Sequence, residues 1–152
     1  MVEIVSRNSC IYARLLMGRA RHAMVNARQK EVSPYHISPQ QAYLLLLLHS
    51  VGNKTTLPEL VRYTRKSINT ISAELTKMAK DGLVRKTHET PKSTMLTIQL
   101  TAKGLEIYEN TKKLKSDKAI MSALSEEERQ RLISMLNKVI NGARDYRPQP
   151  DE

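Results

Sequence analysis

Apolar residues recur at helical spacing over most of this chain and switch to strict alternation at one place. Residues 7–31 carry a wide apolar arc built from two rows. One row is Cys10, Ala13, Met17, Ala20, Met24 and Ala27; the other is Ile11, Leu15 and Val25. A helix with so wide an arc is expected to bury it on two sides, against its own domain and against a partner. Ser33-Pro-Tyr-His36 interrupts the pattern. Ser38 then caps a new helix, with Pro39 at the first position and Gln41 closing a capping box. This helix holds Ala42 and Leu44–Leu48 and ends near Gly52. It is Leu-rich on nearly every side and is expected at the centre of the core.

Two short helices follow. Thr56 opens the first, with Glu59 three residues on. Ser67 opens the second, whose apolar side is Ile68, Ile71, Leu75 and Met78. Gly82 closes it in the left-handed conformation that needs no Cβ. Leu83 to His88 reads as a strand and Met95 to Leu100 as its return, around a tip at Glu89–Ser93. In the return, Leu96, Ile98 and Leu100 are assigned inward and Thr97 and Gln99 outward. Thr101 caps a long helix through Leu105, Tyr108 and Leu114 to Met121. Ser125-Glu-Glu-Glu128 starts the last helix, with Leu132, Met135, Leu136, Val139, Ile140 and Ala143 apolar. Arg144 to Glu152 reads as a frayed end.

The expected fold class is therefore mainly α with a small β-wing. Helix, turn, helix and hairpin in that order is a construction for placing one helix in a DNA groove. The chain reads as one unit over residues 1–152. Its winged-helix part is 55–103, its dimerisation helices are 1–36 and 104–146, and its tail is 147–152. The terminal helices have more apolar face than one small domain covers, which points to a two-fold homodimer.

Charge sharpens this picture. The net charge is +10, and residues 54–103 hold ten Lys/Arg against four acids. Residues 104–152 are balanced, nine against nine. The excess thus sits where the groove-binding construction lies, as phosphate binding requires. The single cysteine, Cys10, excludes an internal disulfide framework and points to a reducing compartment. No secretory pattern opens the chain, and the Leu44–Leu48 run is too short to span a bilayer, so a cytoplasmic protein off the membrane is expected. His22, His36, His49 and His88 are scattered without ligand spacing. With no nucleophile triad and no Gly-rich phosphate loop, no enzyme activity, metal or cofactor is expected.

Rotating the second reader helix by about 100° per residue puts Asn69, Thr70, Ala73, Thr76, Lys77 and Lys80 opposite its apolar side. Asn69 suits adenine, Thr70 a hydrogen bond and Ala73 a thymine methyl. Lys77 and Lys80 are placed for phosphate, as are Arg65, Lys66 and Ser67 at the helix start. Lys86, His88 and Lys92 are the wing's candidates. Cys10 is the one candidate for redox sensing, set against an inert role on its apolar row. Besides a DNA-binding regulator, a winged-helix module for protein or RNA contact and a thiol chemistry at Cys10 stay open.

The order of these elements resembles the MarR family, the multiple antibiotic resistance regulators. The resemblance is carried by Ile37-Ser-Pro-Gln-Gln-Ala-Tyr43, Leu57-Pro-Glu-Leu-Val61, Ser67-Ile-Asn-Thr-Ile71 with Leu75, Asp81-Gly-Leu-Val-Arg85, Leu100-Thr-Ala-Lys-Gly104 and Leu124-Ser-Glu-Glu-Glu128. It implies a winged-helix homodimer on pseudo-palindromic double-stranded DNA, acting as a repressor released by a small molecule or an oxidant. The wing departs from the family pattern: Lys92, Ser93 and Thr94 stand where an Asp-x-Arg or Asp-Arg-Arg is usual. Lys lacks the planar fork that suits Arg to a narrow minor groove, so the recognition helix is expected to carry more of the reading.

Overall fold

Residues 8–88 and 90–147 are described by the computed structural model. Met1–Arg7, Glu89 of the expected wing tip and residues 148–152 of the expected tail lie outside the described residues. The chain divides at Ser116 into two bodies.

The first body begins with α1, Ser9–Val32, whose first N–H groups are capped by the Asn8 side chain. A 3-10 turn at Ser33–Tyr35 leads to α2, Pro39–Ser50, which opens on the full Ser38–Gln41 capping box. Leu44, Leu45 and Leu48 of α2 have no exposed surface, which confirms its central place. Each such burial is worth about 1.5–3 kcal/mol. Around them stand Val32, Ile37, Leu60, Ile71, Leu75, Met78, Leu83, Val84, Ile98 and Tyr108, one continuous apolar core. His49 of α2 stacks on the Tyr108 ring at 4.2 Å between centroids.

The elements expected to read DNA are α3, Leu57–Thr64, and α4, Ile68–Lys80, then β2, Val84–His88, and β3, Leu96–Leu100. A strand that the pattern did not suggest, β1 at Lys54–Thr56, precedes them. The three strands form an antiparallel sheet in the order β1-β3-β2. Its register sets Thr97 of β3 between Thr56 and Thr87. That flanked position corrects the assignment of Thr97 to solvent: it is 2% exposed, and its hydroxyl has no hydrogen-bond partner. β1 escaped notice because three residues are too few for alternation to register.

Gly82 closes α4 with φ +75°, as expected. Gly104 marks a closer constraint. A Cβ there would lie 2.0 Å from the Leu83 carbonyl oxygen, so only glycine lets the next helix start against this turn. That helix, α5, is Ala102–Thr111 and is capped by Thr101. The expected long helix to Met121 is instead two helices. Leu114 takes φ +48°, which ends the first, and α6 runs Lys115–Met121.

At that break the first body is fastened by an ionic cluster. Arg28 of α1 donates to the Thr111 carbonyl at 2.8 Å and pairs with Glu31 at 2.8 Å. Glu31 accepts from the backbone N–H groups of Lys115 and Ser116 and from the Ser116 hydroxyl at 2.5 Å. Burial pushes the Glu31 carboxyl up, but the Ser116, Arg28 and Lys115 hydrogen bonds outweigh it and hold the group at about 2.

Of α1, only Arg28 and Val32 are buried. The expectation that its wide arc packs on its own domain is thus corrected: Ile11, Tyr12, Leu15, Leu16 and Val25 are exposed, since only the C-terminal end of the helix reaches the core. The second body holds α7, Glu126–Asp145, with its expected Ser125–Glu128 capping box. Arg129 bonds the Met121 and Leu124 carbonyls and pairs with Glu126 at 2.7 Å. None of α7 is buried, and Ile133, Met135, Leu136, Val139 and Ile140 stand exposed. No helix among the described residues is long and apolar enough to cross a membrane.

Candidate nucleic-acid interface

The turn from α3 to α4 builds the interface from its backbone upward. Thr64 bonds the Leu60 carbonyl at 2.8 Å with its hydroxyl, and Arg65 takes φ +54° to stop α3. Ser67 then caps α4, accepting from the Thr70 N–H at 3.2 Å. Ile71, Leu75 and Met78 anchor the inner side of α4 in the core with no exposed surface. The outer side is thereby fixed in rotation. Asn69, Thr70, Ala73, Thr76, Lys77 and Lys80 are all exposed on it. Ile68 is a correction. Expected inward, it is 53% exposed, because the core covers the apolar row of α4 only from Ile71 onward.

Arg65, Lys66 and Ser67 are exposed at the start of α4, and Lys77 and Lys80 lie near its far end. Cations therefore flank the outer face at both ends. The Thr70 hydroxyl lies 2.7 Å from the Ser67 hydroxyl, so one of its hydrogen-bonding positions is already used. Lys66 donates to the Gln40 side-chain carbonyl at the start of α2. The pattern singled out Gln41 for its cap and passed over Gln40, whose role depends on a contact 26 residues away.

The wing is less uniform. Lys86 is half-buried, and its ammonium donates to the Thr76 hydroxyl of α4 at 2.9 Å. Neighbouring strand residues leave opposite faces, so Arg85 projects away from α4. His88 and Lys92 are exposed, the latter within a tip turned by a Ser93 N–H to Thr90 carbonyl bond of 2.9 Å. Cys10 is exposed in the first turn of α1, far along the sequence from these groups. Among the described residues no three His, Cys, Asp or Glu side chains converge as a metal site would need.

Helix α4 beside a three-stranded sheet is a construction shared with solved proteins. An organohalide-sensing transcriptional regulator, RdhR-CbdbA1625, with bound 2,4-dichlorophenol superposes with a TM-score of 0.80 over 86% of this chain and 78% of its own, at 24% identity. This chain has the MarR winged-helix fold. A MarR mutant from E. coli in complex with operator DNA gives a TM-score of 0.79 over 87% of this chain and 96% of its own, at 19% identity. The MepR–DNA complex from S. aureus gives 0.78 over 85% and 96%, also at 19% identity. No family model and no curated protein matches the sequence. In that fold, α3 and α4 stand at the helix-turn-helix positions and β2–β3 at the wing.

Proposed function

We propose that this protein is a sequence-specific regulator of transcription that binds double-stranded DNA as a homodimer and acts as a repressor released by a small molecule. The observation that supports it most is α4. One side is locked into the core, and the other offers Asn69, Thr70 and Ala73 between two sets of cations. Such a face reads bases at its centre and holds phosphates at its ends. The exposed apolar rows of α1 and of α7 fit a second copy, whose two-fold axis would set two reader helices on a pseudo-palindromic operator. The work is binding, with no catalytic step, and is done in the cytoplasm.

The releasing ligand has a candidate place on the first body. A groove of about 390 Å³ is lined by Tyr35, His36, Ile37, Leu83, Lys103 and Ile107, beside the Asp81 end of α4. Lys103 donates to the Asp81 carbonyl there at 2.8 Å. A small molecule bound there would compete for Lys103 beside the Asp81 end of α4. The deciding experiment is fluorescence anisotropy on the region upstream of the protein's own gene and on random DNA, from low to physiological salt. A regulator prefers the first and loses affinity steeply with salt. Equal affinity for both would refute the proposal.

A further inference from the structure

We propose that Gln40 is a positioning residue of the DNA interface, holding the Lys66 ammonium where it meets a phosphate beside the recognition helix. The proposal rests on the DNA-binding reading above and adds to it a residue outside the helix-turn-helix and the wing. Lys66 is exposed, yet it is held at both ends. Its backbone N–H bonds the Thr64 hydroxyl at 3.4 Å, and its ammonium donates to the Gln40 side-chain carbonyl. A lysine free in solvent has to be ordered when it binds phosphate; one already held loses less entropy on binding. The partner matters as much as the contact. A neutral amide leaves the full positive charge for DNA and uses one of three N–H donors. A carboxylate in its place would neutralise the charge.

Gln40 holds this position at a cost to the fold. Its amide nitrogen is buried without a hydrogen-bond partner. Turning the amide over would bury the carbonyl instead and set N–H groups against the ammonium. The observed orientation is thus the one that serves Lys66, and it leaves the buried donor unsatisfied.

The test separates stability from binding. Gln40→Met has nearly the same shape and removes the unsatisfied donor. Its melting temperature should equal or exceed that of the parent. Its affinity should fall about threefold per protomer on operator and random DNA alike, and the plot of log affinity against log salt should flatten by up to about 0.9 per protomer. In a Lys66→Ala background the same change should do nothing further. Gln40→Glu, which keeps an acceptor but adds a negative charge, should flatten the salt plot as Lys66→Ala does. Unchanged affinity in Gln40→Met, or an equal loss in the Lys66→Ala background, would overturn the role of Gln40 and leave the DNA reading standing. A parent that shows neither operator preference nor salt dependence would overturn both.

Discussion

Asn69 is where a single side chain should account for a single base pair. It is exposed on the first turn of α4, a turn fixed by the Ser67 cap. Asn69→Ala should cost roughly 1–3 kcal/mol at one position of the operator and relax preference there, measured on a series of single-base operator variants. Lys77→Ala should instead weaken binding evenly across the series and flatten the salt dependence. Glu31 gives a prediction of another kind. Its carboxyl is held at about 2 against an ordinary 4.5, so its contribution to stability is full above about 4.5 and is lost as the pH falls toward 2. Urea titrations between pH 5 and 2.5 should show Glu31→Gln losing less stability with acid than the parent. At this scale the sequence was legible wherever a role depended on near neighbours, as with Ser38, Thr56 and Ser125. It was silent on Glu31 and Gln40, whose partners Ser116 and Lys66 lie 85 and 26 residues away.

Among the elements, α2 sets three leucines in the core with no exposed surface, and α5 starts directly against the Leu83 carbonyl. Leu48→Ala should destabilise by about 2–5 kcal/mol, as emptying a site with no exposed surface does. Gly104→Ala should cost about 1–3 kcal/mol, because the new methyl meets the Leu83 carbonyl and backbone has to move. Thermal denaturation measures both. Helix ends were readable because caps are local chemistry. The errors came where tertiary context overrode a local pattern. Thr97 alternates as a solvent-facing residue should, yet lies on the middle strand between two neighbours. The sequence from Thr101 to Met121 has helical spacing throughout, and a left-handed Leu114 divides it.

On the scale of the molecule, the exposed rows of α1 and α7 make association the central prediction. Sedimentation at micromolar concentration should give twice the 17.3 kDa chain mass. Ile140→Glu, toward the C-terminal end of the α7 row, should shift the protein toward monomer and reduce operator affinity with it. The tie between Lys86 and Thr76 bears on the size of the DNA contact. It draws one wing cation onto α4, and Arg85 leaves from the opposite face. Beyond His88, Lys92 is then the one cation among the described residues of the tip. The footprint on DNA should accordingly be short. Hydroxyl-radical cleavage should show each half-site protected across the major groove under α4 and at the phosphates near Lys66, with the flanking minor groove nearly as open to the radical as in free DNA.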